Sequence, residues 1–226
     1  MDKSKKCIIP WLPNVCTTLS FLFGFLAITS AAAGNIEKSC YCIFFAAITD
    51  FLDGRVARIT GSESEFGAAY DSLADLIAFG VAPALISYYG HLINLGKLGW
   101  FLAFIYATAT CLRLARFNTS EPTLGAFIGM PCPAAALLIA SLILLTKNLS
   151  VYYLVIHILL AAVLQVSPVP FKHTKNLKVS ANHRLLAILG LVFILSAAFL
   201  YPAVIIYTLM SFYIIYSLVR FFLVKI

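Results

Sequence analysis

Apolar runs of about twenty residues follow one another along most of this sequence, and each matches the thickness of a bilayer when it is helical. The first extends over 15–33, and polar residues separate it from runs at 37–59, 67–90, 98–117, 131–147, 150–166, 184–201 and 203–223. Hydrophobic residues make up 62% of the chain and charged residues only 11%, against about 25% charged in soluble domains. The sequence therefore predicts an all-α, polytopic membrane bundle with about eight transmembrane helices.

The chain has 226 residues, which leaves room for these helices but not for a separate soluble domain. We expect a single membrane-embedded domain over residues 1–226. The basic start, the first apolar run and the small residues at 30–34 also resemble a secretory signal peptide. A transmembrane helix is favoured because the run has the length of a full crossing and Pro13 lies where a helix begins.

Four aspartates lie inside two consecutive apolar segments. Asp50 and Asp53 are three residues apart and Asp71 and Asp75 are four apart, so each pair shares one face if its segment is helical. Carboxylates gathered in a low dielectric must be protonated, hydrated or neutralised by cations. Mg²⁺, Mn²⁺ or Ca²⁺ suits carboxylate oxygens, and two such ions offset four negative charges while leaving open positions for a phosphorylated substrate.

Glycine, alanine and arginine surround these acids in a fixed pattern. The stretch DFLDGRVARITGSESEFGAAYDSLAD, which begins at Asp50, has the form DxxDGxxAR, eight residues, GxxxDxxxD. The small residues Gly54, Ala57 and Gly67 allow either the close approach of a ligand or plain helix packing. As a whole, the stretch resembles the motif of the CDP-alcohol phosphotransferase family without a mismatch.

This resemblance implies a six-helix catalytic core over about 13–172, with additional helices over about 184–226. It also implies two bound divalent ions, Mg²⁺ or Mn²⁺, and transfer of a phosphoryl-bearing group from a CDP-linked donor to an alcohol, with release of CMP. Asp50, Asp53 and Asp71 are the implied metal ligands, and Asp75 shares in that site and acts as general base on the acceptor. The implied nucleotide pocket contains Asn14, Thr17, Gly54, Ala57, Arg58 and Gly67, although Asn14 and Thr17 are also plain helix caps by residue type.

Four further blocks resemble the serine-accepting, integral-membrane phosphatidylserine synthase branch of the family. They are SLADLIAFGVAP at 72–83, RLARFN at 113–118, GMPCPAAA at 129–136 and SPVPFK at 167–172. The glycerol-phosphate branch has a lysine directly after the last aspartate, where this chain has Leu76. The resemblance thus implies CDP-diacylglycerol as donor and L-serine as acceptor, joined in a single in-line displacement. Inositol phosphate, glycerol phosphate and other small alcohols stay open as acceptors.

Serine recognition requires a cation for the carboxylate of the amino acid. Arg113 and Arg116 share one helix face, and with Asn118 they could supply that cation and a hydrogen-bonding partner. Equally, the two arginines could be topological anchors or bind the phosphate of the lipid. Pro131 and Pro133 are expected to break the chain where the next helix begins.

The distribution of basic residues predicts the orientation, because cytoplasmic loops hold the excess of Lys and Arg. With both termini in the cytoplasm, three of the 16 basic residues (Lys38, Lys97 and Lys147) fall outside and the other thirteen lie at the cytoplasmic side. The aspartates then lie near the cytoplasmic face of a cell (inner) membrane. The net charge of +7 suits anionic membrane lipid, no nucleic-acid motif is present, and the resemblance implies a homodimer.

The six cysteines are scattered through apolar segments and are expected to be small buried hydrophobes. His157 is predicted to be an interhelical histidine with satisfied hydrogen bonds rather than a functional one.

Two functional hypotheses other than an enzyme stay open. An ion-coupled transporter also carries intramembrane acids, but it is expected to spread them along a pore. A helical membrane scaffold predicts that replacing Asp75 by Asn has no effect.

Overall fold

A computed structural model of the chain describes residues 11–62, 64–119, 127–145, 150–171 and 201–224. Within these ranges the regular secondary structure is helical apart from one antiparallel ribbon with two residues in each strand. The crossing predicted at 184–201 lies outside the described residues except for Tyr201, and so do Cys7 and Lys172.

Eight α-helices cover most of the described residues. They are α1 (Leu12–Ala32), α2 (Ile36–Thr60), α3 (Glu65–Asp75), α4 (Ala82–Ser87), α5 (Lys97–Thr119), α6 (Cys132–Leu145), α7 (Val151–Val166) and α8 (Pro202–Val224). Two π-helical segments, Leu76–Val81 and Tyr88–Leu92, and the 3₁₀ turn Ile93–Leu95 join α3 and α4 into one helical stretch that ends just before α5.

Among the described residues, four helical stretches are long and apolar enough to cross a membrane. They are Pro13–Ala32, Glu65–Leu95, Lys97–Thr119 and Pro202–Leu223. The apolar helices α6 and α7 are shorter, with 14 and 16 residues, and α2 has 25 residues but carries charged side chains towards both ends. These lengths and compositions confirm the all-α membrane fold that the apolar runs predict.

The helices pack through small side chains. Ala27 and Ala31 on α1 and Ala46 on α2 are almost fully buried in the hydrophobic core. Gly24 allows the closest approach, because a Cβ placed there would lie 2.6 Å from the backbone Cα of Ala78 in the first π-helical segment. Small residues have this role in membrane helices generally, since van der Waals packing rather than hydrophobic exclusion holds the helices together.

A proline lies directly after the first π-helical segment. Pro83 has no N–H, so the carbonyl of Phe79 loses the donor that a regular α-helix would supply. The buried hydroxyl of Tyr106 on α5 donates to this carbonyl at 3.2 Å. The tyrosine therefore satisfies the broken helix and fixes it against α5, directly after the segment that carries Asp71 and Asp75.

The ribbon lies after α5 and closes the bundle at the end where the aspartates are found. Its strands, β1 (Phe127–Ile128) and β2 (Pro170–Phe171), are antiparallel and pair Phe127 with Phe171. The next residue, Gly129, has a φ of +86°, and a Cβ there would collide with the carbonyl oxygen of Gln165 on α7. This close approach fixes the chain that enters α6 against the end of α7.

Candidate functional site

Three carboxylates converge where the last turns of α2 face α3. Asp50 and Asp53 lie on α2 and Asp71 lies on α3, and one oxygen from each comes within 4.8 Å of the other two. Asp53 is buried and the other two are half-buried. Three carboxylate oxygens at this spacing are the donor set that a hard divalent cation prefers. The residues present therefore fit a divalent metal.

A side chain of α1 holds one of these carboxylates. Thr17 is buried, and its hydroxyl donates a hydrogen bond of 2.9 Å to Oδ2 of Asp53. A second bond, 3.0 Å between the hydroxyls of Thr18 and Tyr70, joins α1 to α3 on the same side. The first helix thus fixes the position of both acid-bearing helices.

Asp75 lies one turn further along α3 than Asp71 and outside the group of three. Its carboxyl contacts that of Asp50, and its Oδ2 accepts a hydrogen bond of 3.3 Å from the thiol of Cys132 at the start of α6. Asp75 therefore connects the carboxylate cluster to α6, while Asp50, Asp53 and Asp71 form the tighter cluster.

The residues predicted for the nucleotide pocket lie next to this cluster. Among the described residues, a Cβ on Gly54 would meet only the guanidinium of Arg58, at 3.9 Å, so none of the described helices packs against Gly54 closely enough to require a glycine. Ala57 is half-buried on the same helix. A Cβ on Gly67 would come within 3.1 Å of the Ser64 hydroxyl and 3.6 Å of Oδ1 of Asn14, which brings α1 to the start of α3.

The residues predicted to bind the acceptor have different surroundings. Arg113 is half-buried and donates from Nη1 to the sulfur of Cys132 at 3.0 Å. Its Nε is buried and has no hydrogen-bond partner among the described residues. Arg116 donates to the carbonyl of Val166 at 2.9 Å, and Asn118 accepts from the hydroxyl of Ser72 at 3.0 Å. Arg113 is thus the arginine next to Asp75.

The cysteines correct one expectation. Cys40 and Cys42 are buried among apolar side chains as predicted, but Cys111 is exposed and Cys16 is half-buried. Cys132 is fully buried without being a plain hydrophobe, because its thiol has two polar partners. Pro131 and Pro133 were expected to break the chain here, but no role was predicted for the thiol between them. The signal in the sequence was a side chain able to donate a hydrogen bond within the block at 129–136.

His157 agrees with the prediction of an interhelical histidine. Its ring nitrogens lie 2.8 Å from the carbonyl oxygen of Tyr153 and 3.0 Å from the hydroxyl of Tyr207 on α8.

A further buried polar side chain, Gln165, was not predicted from the sequence. Its Oε1 accepts from Thr110 at 2.9 Å, whereas its Nε2 is buried without a partner among the described residues.

Comparison with protein families decides the affiliation of the chain. Residues 10–166 match the model of the CDP-alcohol phosphatidyltransferase family, and this region contains all four aspartates together with Arg113 and Cys132. The chain belongs to the CDP-alcohol phosphatidyltransferase family. The resemblance drawn from the motif at 50–75 is thereby confirmed.

Curated members of the CDP-alcohol phosphatidyltransferase family are similar to this chain over most of its length. A CDP-diacylglycerol–serine O-phosphatidyltransferase of Helicobacter pylori is 38% identical and aligns with 95% of this chain and 93% of its own. An enzyme of the same name from Mycobacterium bovis is 34% identical over 89% of this chain and 75% of its own. The one from Bacillus subtilis is 36% identical over 74% of this chain and 92% of its own.

Proposed function

We propose that this protein transfers the phosphatidyl group of CDP-diacylglycerol to the hydroxyl of L-serine, giving phosphatidylserine and CMP. The observation that carries the proposal is the convergence of Asp50, Asp53 and Asp71 inside the family motif. The names of the similar enzymes supply the donor and the acceptor. The unpartnered Nε of Arg113 next to Asp75 supports an acceptor that carries a carboxylate.

Two divalent ions, Mg²⁺ or Mn²⁺, are proposed to be held by Asp50, Asp53 and Asp71, with Asp75 sharing in the site. When bound, such ions neutralise charge on the diphosphate of the donor and on the departing CMP. Thr17 holds Asp53 in place for this role. The proposed nucleotide pocket is formed by Asn14, Thr17, Gly54, Ala57, Arg58 and Gly67, where the small residues leave room for the donor and Arg58 offers a cation to its phosphates.

Asp75 is the proposed general base. It accepts the proton of the serine hydroxyl as the hydroxyl oxygen bonds to the lipid-side phosphorus and the bond from that phosphorus to CMP breaks. Arg113 pairs with the carboxylate of serine, and Arg116 and Asn118 complete the acceptor side. One displacement at phosphorus requires inversion of configuration there. A product of retained configuration from a chiral phosphorothioate donor contradicts the single step.

The wider arrangement follows from the same proposal. We place both termini in the cytoplasm and the aspartates at the cytoplasmic face of a cell membrane, in agreement with the bias of Lys and Arg towards one side. The chain then forms one domain of eight crossings, with a catalytic core over about 13–172 and further helices over about 184–226. Two such chains associate as a homodimer.

The decisive experiment measures CMP release by detergent-purified protein from CDP-diacylglycerol and Mn²⁺, with and without L-serine. We expect release that depends on serine, recovery of radiolabelled serine in lipid, and loss of both with EDTA. Asp75→Asn should lower turnover about 10²- to 10⁴-fold and elute from a sizing column as the wild type does. If inositol phosphate or glycerol phosphate yields lipid and serine does not, the acceptor is wrong. Undiminished turnover in EDTA contradicts the metal site.

A further inference from the structure

Cys132 contacts both groups that the proposed reaction places around the acceptor. Its thiol donates to Oδ2 of Asp75 at 3.3 Å, and its sulfur accepts from Nη1 of Arg113 at 3.0 Å. The side chain is fully buried. One thiol therefore lies against a carboxylate on α3 and a guanidinium on α5, although it belongs to α6.

The backbone around Cys132 fixes the position of the thiol. The N–H of Gly129 donates to the carbonyl of Val169 at 2.9 Å, and the N–H of Met130 donates to that of Leu164 at 3.0 Å. After Cys132, the N–H of Ala135 in the first turn of α6 donates back to the carbonyl of Pro131. Anchored on both sides, the thiol has little freedom to move away from Asp75 and Arg113.

The direction of the two hydrogen bonds has a chemical consequence. A thiol has one proton, and here that proton is directed to Asp75, which leaves the lone pairs of the sulfur for Arg113. Arg113 is thus held through Nη1, while its buried Nε keeps its hydrogen available. Asp75 in turn accepts the hydrogen bond of the thiol with one carboxylate oxygen. The base and the cation are fixed relative to each other through a single atom.

We propose that Cys132 is a positioning residue that sets the distance between Asp75 and Arg113 and thereby aligns the acceptor. The proposal rests on the proposed function, in which Asp75 takes the proton of the acceptor and Arg113 binds its carboxylate. Cys132 itself forms no bond to substrate. The feature it supplies is a hydrogen-bonding group of small volume, so a serine hydroxyl at this position should serve as well.

The alternative is that Cys132 only fills space at the start of α6. Two matched pairs of variants separate these roles. Cys132→Ser and Cys132→Ala have nearly the same volume but differ in the ability to hydrogen bond, and so do Cys132→Thr and Cys132→Val. A space-filling role predicts equal effects within each pair. A positioning role predicts that the hydroxyl-bearing member is the active one in both.

The test measures steady-state kinetics of CMP release for wild type and the four variants in detergent, with L-serine and CDP-diacylglycerol each varied. We expect Cys132→Ser to keep kcat/KM for serine within about threefold of wild type, and Cys132→Ala to lower it at least about tenfold, the usual effect of losing hydrogen bonds to charged groups. KM for CDP-diacylglycerol should change less than about twofold in the Ser and Ala variants. The proposed donor site is at the cluster of Asp50, Asp53 and Asp71, whereas Cys132 contacts Asp75 from α6.

The outcomes distinguish this inference from the function on which it rests. If wild type releases no CMP in response to serine, the proposed function fails. If wild type is active and the Ser and Ala variants have equal kcat/KM, the positioning role of Cys132 is overturned. Should the Ala variant fail to fold, as judged by its elution from a sizing column, the Thr and Val pair decides by the same criterion. Equal activity of Thr and Val overturns the inference, and higher activity of Thr supports it.

Discussion

The hydroxyl of Thr17 lies 2.9 Å from Oδ2 of Asp53 and donates a hydrogen bond to it. Both side chains are buried, at 4% and 5% exposure, where α1 packs against α2. A carboxylate that binds a metal is oriented by partners of this kind, and loss of the partner commonly weakens metal binding about 10- to 100-fold. The first helix is therefore part of the proposed metal site although it supplies no carboxylate.

Replacing Thr17 with Val removes this hydroxyl while keeping the shape of the side chain. We expect the Mn²⁺ concentration for half-maximal CMP release to rise about tenfold or more, because Asp53 loses the donor that orients it. Thr17→Ser keeps a hydroxyl and should stay close to wild type. The measurement is a titration of activity with Mn²⁺ at saturating substrates. An unchanged Mn²⁺ requirement in the Val variant contradicts a role for Thr17 in the metal site.

Two glycines allow packing to be separated from ligand binding. Within the part of the chain that the structure describes, a Cβ on Gly54 meets only the end of the flexible Arg58 side chain, at 3.9 Å, whereas a Cβ on Gly24 meets the backbone of Ala78 at 2.6 Å. Gly54→Ala should therefore leave the melting temperature unchanged or raise it, since alanine is favoured over glycine inside a helix. It should also raise KM for CDP-diacylglycerol, because the added methyl group lies in the proposed nucleotide pocket. Gly24→Ala should destabilise the protein by about 1–3 kcal/mol, the usual cost of overpacking.

The stability of both variants is measured by thermal unfolding in detergent, monitored as loss of the monodisperse peak from a sizing column. KM for CDP-diacylglycerol is measured from CMP release at varied donor concentration. Wild-type KM for the donor in the Gly54 variant excludes Gly54 from the nucleotide pocket. A Gly24 variant as stable as wild type shows that α1 can move away from the π-helical segment at little cost.

The sequence predicts the helical membrane fold and the meeting of two acid-bearing helices, because both follow from local pattern. Apolar runs of bilayer length determine the fold class, and the spacings of three and four residues place Asp50 with Asp53, and Asp71 with Asp75, on one face of their helix. The two pairs of aspartates then meet because α2 and α3 are consecutive and joined by a short loop that ends at the Ser64 cap.

What the sequence did not predict depends on contacts between residues far apart in the chain. The thiol of Cys132 reaches Asp75 across 57 positions of sequence, and Thr110 reaches Gln165 across 55. Neither pairing follows from helical periodicity, which describes the neighbours of a residue on its own helix only. The partner of the Phe79 carbonyl belongs to the same class, since the hydroxyl that donates to it lies on Tyr106, 27 positions away on another helix.

The pair of His157 and Tyr207 is expected to stabilise the fold without affecting catalysis. The ring nitrogen and the hydroxyl are 3.0 Å apart and join α7 to α8. Tyr207→Phe should cost about 0.5–1.5 kcal/mol of unfolding free energy, the range of hydrogen bonds between membrane helices, and leave kcat and both KM values unchanged. Unfolding in mixed micelles of increasing SDS content measures the change.

A double-mutant cycle with His157→Phe isolates the contribution of that bond. The double variant should lose less unfolding free energy than the sum of the losses in the two single variants, because both substitutions remove the same interaction. Strict additivity contradicts the hydrogen bond, and a large loss of turnover with an intact fold contradicts the structural role of His157.

Gln165 offers a test in which a change should do no harm. Its Nε2 is fully buried without a partner among the described residues, which is costly, while its Oε1 accepts from Thr110. Thr110 has a second acceptor in the carbonyl of Tyr106, at 3.2 Å, so removing the amide leaves the hydroxyl satisfied. Gln165→Met keeps the length and shape of the side chain and removes the unpaired donor. We expect unchanged or higher stability, by up to about 1–3 kcal/mol.

Thermal unfolding of the Gln165→Met protein and its serine-dependent CMP release, each measured beside wild type, separate two roles of the amide. Stability at or above the wild-type value with unchanged kcat/KM identifies the unpaired Nε2 as a packing cost of the interface between α5 and α7. A stable variant whose kcat/KM for serine falls tenfold while KM for CDP-diacylglycerol holds contradicts this prediction, because the buried donor must then bind the acceptor. Thr110→Val serves as the matched control, since it removes the bond to Oε1 and leaves the Nε2 donor in place.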